Sequence, residues 1–137
     1  MARVVAFDYG TKRVGIAVTD PMKMIATGLT TVHSKDIFDF IDQYLKKEDV
    51  DCFVLGEPKS LNNSSTHATE HVRAFAKKLE SLYPDKLLHM IDERFTSKMA
   101  TRAMIDGGLK KKQRQNKSLV DEISATLILQ SYLESNK

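Results

Sequence analysis

Residues 4–20 read VVAFDYGTKRVGIAVTD, and this stretch decides the fold prediction. Two runs rich in β-branched and apolar residues, Arg3–Phe7 and Val14–Thr19, flank a short polar and basic segment. Such runs favour β-strands, and the intervening Gly10 and Gly15 suit a tight connection. The stretch therefore predicts an antiparallel hairpin at the start of the chain.

The rest of the chain predicts alternating helices and strands. A third strand is expected within MIATGLTTV, residues 24–32, and Ser34 is a candidate N-cap for the helix that follows. Further on we predict a strand at Asp51–Gly56, a loop at 58–66, a helix whose apolar residues run from Ala68 to Leu82, a strand at Leu87–Ile91, a helix around Met99–Ile105 and a last helix from about Ser118 to Leu133. This order predicts an α/β fold with a mixed five-stranded sheet, three strands antiparallel and two parallel, flanked by helices.

The length and composition predict one domain over residues 1–137. Hydrophobic residues make up 42% and charged residues 28% of the chain, as in ordinary globular proteins. The opening MARVVAFDYG resembles neither a secretory signal nor a membrane span, so we expect a cytoplasmic protein without a membrane partner. The single cysteine, Cys52, lies in the apolar run CFVLG and is expected to be buried.

Positive charge is concentrated in one segment, although the formal net charge is only +3. Residues 107–117 read GGLKKKQRQNK and contain no acid. The segment is a candidate phosphate-binding surface, and a solvated basic loop is the alternative. Its candidate contacts are Lys110, Lys111, Lys112 and Arg114.

Three carboxylates from distant parts of the chain are candidate metal ligands. Asp8 and Glu93 follow predicted strands, and Asp121 lies near the start of the last helix. Carboxylates that meet at one edge of a sheet can bind Mg²⁺ or Mn²⁺, singly or in pairs, and such ions activate water for attack on a phosphodiester.

Each carboxylate also has a purely structural explanation. Asp8 could accept hydrogen bonds from its own turn, and Glu93 could pair with Arg94 on the surface. Ser118 and Asp121 have the spacing of a capping box, with aspartate in place of glutamate. Spacing alone does not choose between capping and metal binding for Asp121.

Four segments together resemble the motifs of the YqgF family, the RuvX-type proteins. They are FDYGTKRVGIAVTD, VLGEP, IDERFTS and KSLVDEISATLILQ, in the family's order and over nearly the whole chain. The resemblance implies an RNase H-like fold and a metal-dependent nuclease, described in this family both as a Holliday junction resolvase and as a nuclease for the 5′ end of pre-16S ribosomal RNA. The family's acidic triad falls on Asp8, Glu93 and Asp121.

The resemblance also implies phosphate contacts and a substrate class. Lys12 and Arg13 match the family's basic hairpin turn, and Arg94 matches the arginine after its glutamate. These side chains would bind phosphate, although a solvated turn would also explain Lys12 and Arg13. Structured RNA is the preferred substrate and branched DNA the alternative. Resolving a junction would require a homodimer, whereas trimming one RNA end would not.

The chain departs from the family pattern at two places. Glu57 stands where the family usually has an apolar residue, and Asn62-Asn63 replaces an Asp-Gly pair. Glu57 could be a fourth acid near the metals, but we favour a solvent-facing loop residue because exposed loop glutamates are common.

Three rival functions can be weighed from the sequence. Asp-x-Gly-Thr, starting at Asp8, resembles the phosphate loop of the actin and hexokinase superfamily, but the chain has room for only one of the two lobes such a site needs. His67, Glu70 and His71 match H-x-x-E-H, yet no third zinc ligand is evident and a solvated helix face is the simpler explanation. The third rival is a nucleic-acid-binding module without catalysis, which the presence of all three acids disfavours.

Overall fold

The structure, a computed structural model, describes residues 2–57, 67–92 and 117–135. Its strands are β1 (Arg3–Tyr9), β2 (Arg13–Thr19), β3 (Ala26–His33), β4 (Val50–Glu57) and β5 (Leu87–Asp92). Its α-helices within these ranges are α1 (Ile37–Lys47), α2 (His67–Leu82) and α3 (Lys117–Ser135). The predicted loop at 58–66, the helix around Met99–Ile105 and nearly all of the basic segment at 107–117 lie outside the described residues.

The five strands form one mixed sheet in the order β3-β2-β1-β4-β5. Strand β1 pairs antiparallel with β2, and β2 pairs antiparallel with β3. Strand β4 pairs parallel with both β1 and β5. The predicted mixed α/β sheet is confirmed, including its three antiparallel and two parallel strands.

Alternation along β1 assigns its side chains to two different cores. Val5 and Phe7 belong to a large core that contains residues of α1 and α2. Val4 and Ala6 belong to a second core that contains residues of α3. Because side chains two residues apart share a face of a strand, Asp8 lies on the α3 face of the sheet.

The ends of several elements differ from the predictions. Strand β1 continues to Tyr9, so Asp8 is a strand residue opposite Gly15 and not part of the turn. Gly15 lies in β2, within the predicted strand Val14–Thr19, so only Gly10 of the two glycines belongs to the connection. Ser34 does not cap α1, because Ser34–Asp36 form a 3₁₀ turn before Ile37.

The remaining predicted elements are observed with small changes of boundary. Helix α2 ends at Leu82, two residues before Pro84, and α3 extends the predicted last helix at both ends. Cys52 is buried, as predicted, and burial raises the pKa of its thiol. No helix in the described ranges has the length and apolar character needed to cross a membrane.

Candidate functional site

The connection between β1 and β2 is a tight turn held by backbone and side-chain hydrogen bonds. The amide of Gly10 donates to the carbonyl of Arg13 at 2.9 Å and closes the turn. The hydroxyl of Ser34 donates to the carbonyl of Thr11 at 2.6 Å, and the amide of Ser34 donates to the carbonyl of Lys12 at 3.1 Å. These bonds fix the backbone of the turn while leaving Thr11 and Lys12 exposed.

Gly10 is required where the turn closes. A Cβ atom at this position would lie 2.8 Å from the carbonyl oxygen of Arg13, closer than side-chain carbons approach backbone oxygens. The glycine therefore permits the short bond that brings Arg13 back towards the end of β1.

Gly15 brings helix α3 against the hairpin. Its Cα pairs with Asp8 across the ladder, and a Cβ atom on it would overlap the carbonyl oxygen of Asp121 and lie 2.5 Å from the carbonyl carbon. The helix backbone thus occupies the volume that any side chain at position 15 would fill. The absence of that side chain allows Asp121 to reach the strand end where Asp8 lies.

Asp8 and Asp121 line the same pocket, which has a volume of about 420 Å³. The other residues around it belong to the turn and its two flanking strand ends, namely Tyr9, Gly10, Thr11, Lys12 and Arg13. Two carboxylates and two cationic side chains therefore surround one open cavity. Such a donor set suits a hard divalent cation and a phosphate, which prefer oxygen ligands and positive charge respectively.

Asp121 is held by an ion pair with the turn. Arg13 Nε donates to Asp121 Oδ2 at 2.7 Å, and the Asp121 side chain is 19% exposed. Ser118 lies within α3, after its first residue Lys117, so it is not the residue before the helix that a capping box requires. The observed partner of the Asp121 carboxylate is Arg13, and the start of α3 at Lys117 does not match a capping box at Ser118.

The end of β5 lies at the same edge of the sheet as the pocket. Phe7 is level with Leu55 of β4, and Leu55 is level with Met90 of β5. The chain thus leaves β5, at Asp92, within a few residues of the level of Asp8. Six other predicted site residues lie outside the described residues, namely Glu93, Arg94, Lys110, Lys111, Lys112 and Arg114.

Glu57 differs from the prediction of a solvent-facing loop residue. It is the last residue of β4, its side chain is 18% exposed, and Oε1 lies 3.6 Å from Arg73 Nη2 on α2. The parallel pairing of β4 with β5 ends at Glu57 and Asp92. The strand extends one residue beyond its apolar run because this pairing continues, which the sequence pattern did not indicate.

The zinc alternative rests on His67, Glu70 and His71, and the side chain of His67 lies outside the described residues. Glu70 and His71 are exposed on α2, and among the described residues no group of three or more histidine, cysteine, aspartate or glutamate side chains could hold a metal ion.

Two features of the site were missed by sequence reasoning. The first is the close contact between Gly15 and Asp121, which depends on tertiary packing. Its one signal in the sequence is a glycine inside a predicted strand, which often marks a close approach of another backbone. The second is the anchoring of the turn by Ser34, which the helix-capping interpretation concealed.

Comparison with known proteins identifies the family. The model of the family described as "RuvX: Holliday junction resolvase" matches residues 2–135. A protein of Christiangramia forsetii, named "Putative pre-16S rRNA nuclease", is 52% identical over 133 residues, covering 97% of this chain and 98% of its own length. A protein of the same name from Phocaeicola vulgatus is 53% identical over 137 residues, covering 100% of this chain and 99% of its own.

Solved structures support the fold. Thermus thermophilus RuvC, solved in complex with a Holliday junction substrate, matches with a TM-score of 0.60 at 15% identity and covers 100% of this chain and 98% of its own. The fowlpox virus Holliday junction resolvase matches with a TM-score of 0.55 at 15% identity, covering 97% of this chain and 99% of its own. At this identity the likeness concerns the fold alone, and it confirms the predicted RNase H-like architecture. With the family match over residues 2–135, the chain belongs to the RuvX family of Holliday junction resolvases and is a nuclease, an enzyme that hydrolyses phosphodiester bonds.

Proposed function

We propose that this nuclease is metal-dependent and processes the 5′ end of precursor 16S ribosomal RNA. The observation that carries the proposal is the meeting of Asp8 and Asp121, from opposite ends of the chain, in one pocket beside a basic turn. The names of the relatives that are about half identical to this chain favour ribosomal RNA as the substrate.

The residues present fit a divalent metal. Asp8 and Asp121 offer carboxylate oxygens, which Mg²⁺ and Mn²⁺ prefer, and the pocket is open to a phosphate and its water. Glu93 is proposed as the third ligand because it directly follows the last residue of β5. One or two ions bound by this triad would supply a nucleophile by lowering the pKa of water and would neutralise charge on the leaving oxygen.

The protein's own contribution is to bind and orient the phosphodiester. Lys12 is exposed on the anchored turn and would attract a phosphate oxygen as a point charge. Arg13 can offer two parallel N–H donors to the same group. We extend this role to Arg94 and to the basic residues Lys110, Lys111, Lys112 and Arg114. Contacts of this kind recognise the nucleic-acid backbone rather than its bases, so affinity should fall with salt.

The test is cleavage of a labelled RNA that spans the mature 5′ end of 16S ribosomal RNA, with and without Mg²⁺. Asp8→Asn and Asp121→Asn should each lower the cleavage rate at least about 100-fold, since several kcal/mol of charge stabilisation would be lost. Asp51→Asn is the matched control, because Asp51 lies near the start of β4, at the sheet edge away from the pocket, and pairs with Lys23. Cleavage that is independent of Mg²⁺, or unchanged in Asp8→Asn, would refute the proposed site.

Resolution of DNA junctions is the second candidate, favoured by the description of the matching family. It requires two sites that act on paired strands, and hence a homodimer, whereas trimming a single RNA end is compatible with a monomer. A four-way DNA junction assayed beside the RNA, with the molecular mass measured by light scattering in both samples, separates the two. Preferential cleavage of the junction by a dimer would favour resolution over RNA processing.

A further inference from the structure

Arg13 is bonded to one of the two carboxylates of the pocket. Its Nε lies 2.7 Å from Asp121 Oδ2, the distance of a charge-assisted hydrogen bond. The Arg13 side chain is 39% exposed and the Asp121 side chain 19%. Arg13 thus links the start of β2 to α3, although Arg13 and Asp121 lie far apart in the sequence.

This ion pair conflicts with the proposed role of Asp121 as a metal ligand. A guanidinium and a divalent cation on the same carboxylate repel each other, and the repulsion is strong in a partly buried pocket because water screens it less. Asp121 has a second carboxylate oxygen for the metal, but the repulsion between the two cations should weaken the bond between Arg13 and Asp121 Oδ2.

The pocket offers Arg13 another partner once a substrate is bound. A phosphate beside the turn would present oxygens with the geometry that a guanidinium binds in bidentate fashion. Because Arg13 is at the rim and more exposed than Asp121, it can exchange partners by rotating its side chain, without movement of the fixed turn.

We infer that Arg13 exchanges between two partners: it pairs with Asp121 before the metal binds and moves to the substrate phosphate when the metal is bound. The inference rests on the proposed function and adds a coupling between its two ligands. Metal binding releases Arg13 for the phosphate, and phosphate binding releases Asp121 for the metal. Since such coupling is reciprocal, each ligand should increase the affinity for the other by the same factor.

The experiment measures Mg²⁺ affinity by isothermal titration calorimetry, first without nucleic acid. Arg13→Gln should bind Mg²⁺ about threefold to tenfold more tightly than the unmodified chain, because the competing cation is removed. Arg13→Lys keeps the charge but loses the Nε donor, and should give a smaller gain of about twofold. Circular dichroism establishes that each variant is folded, and the lysine variant carries the test if the glutamine variant is not.

Lys23→Gln is the control for charge. Lys23 pairs with Asp51 near the start of β4, so the change removes one positive charge but leaves the bond between Arg13 and Asp121 in place. The Mg²⁺ affinity of this variant should change by less than about twofold, since a distant exposed charge is screened by water and salt.

The second measurement repeats the titration with inorganic phosphate, which has only oxygen ligands and cannot be cleaved. The Mg²⁺ affinity of the unmodified chain should rise when phosphate is present, and the rise should be smaller in Arg13→Gln. Mg²⁺ binding that depends on Asp121 but is no tighter in both Arg13 variants would overturn the inference and leave the proposed function standing. Failure of Asp121→Asn to weaken Mg²⁺ binding would overturn the proposed function and the inference with it.

Discussion

The two faces of the sheet are packed with side chains of different size. The face covered by α1 and α2 is rich in aromatic rings, with Phe7 against Phe53 at 5.7 Å and against Phe75 at 5.6 Å between centroids. On the face covered by α3, the sheet contributes small residues where the helix crosses the hairpin, including Ala6 and Ala17, which are direct partners across the hairpin. Because the separation of packed elements follows the size of the side chains between them, α3 can approach the sheet closely.

The two faces of the sheet therefore have different roles, one in the stability of the fold and one in the geometry of the site. The aromatic face buries the larger side chains, and burial of large apolar groups contributes most of the free energy of folding. The small-residue face contributes less apolar volume but brings the helix backbone into contact with Gly15, next to Asp8. We therefore expect substitutions on the aromatic face to reduce stability and substitutions at the Gly15 contact to reduce activity.

The largest effect is expected on the aromatic face. Phe53 is 2% exposed and also contacts Tyr83, with ring centroids 5.7 Å apart. Phe53→Ala should lower the free energy of unfolding by about 3 to 5 kcal/mol, because it leaves a cavity in the core. Urea unfolding followed by circular dichroism measures this loss, and the cleavage rate per folded molecule should be retained. A loss of rate without a loss of stability would contradict the division of roles between the faces.

Gly15→Ala should affect the site more than the fold. The added methyl group overlaps the backbone of Asp121, so α3 has to move away from Asp8. A displacement of roughly 1 Å at a catalytic group can lower the rate about 100-fold. The cleavage assay and Mg²⁺ titration measure the effect, and the free energy of unfolding should fall less than in Phe53→Ala. An unchanged rate would show that the close contact is not what positions Asp121.

The smallest effect is expected for Gly28→Ala, a matched control at a second strand glycine that packs against α3. Gly28 of β3 also faces α3, but a Cβ atom there would lie 3.2 Å from Thr126 Oγ1 and 3.5 Å from the Glu122 Cβ. A shift of a few tenths of an ångström relieves these contacts, so the cleavage rate should change by less than about twofold. A loss equal to that of Gly15→Ala would mean that any crowding beneath α3 disrupts the site.

The sequence indicated the type of nearly every described element but not all of their ends. Patterns of apolar residues located the five strands because buried strands need β-branched and aromatic side chains at close spacing. Strand β1 continued through Asp8 because its backbone pairs with Gly15, and such pairing depends on a partner strand rather than on local composition. Ser34 was misassigned as a helix cap because its hydroxyl bonds to the β1–β2 turn, a contact that only the folded chain creates.

The candidate site divides in the same way. Asp8, Asp121 and the basic turn could be selected from the sequence because carboxylates and cations near strand ends are the chemistry that a phosphodiester requires. The pocket they share, and the ion pair between Arg13 and Asp121, depend on α3 crossing the hairpin. Sequence spacing carries no information about this crossing, since the residues involved are far apart along the chain.

The sequence by itself determined the mixed sheet, the family and the residue types of the site, because periodicity and motifs are local properties of the chain. Only the tertiary structure decided that the backbone of Asp121 packs against Gly15, and that Arg13 pairs with the Asp121 carboxylate. The physical reason is that close approach and charge pairing depend on distances through space. The distance between α3 and the sheet is short because small residues, such as Ala6 and Ala17, lie between them.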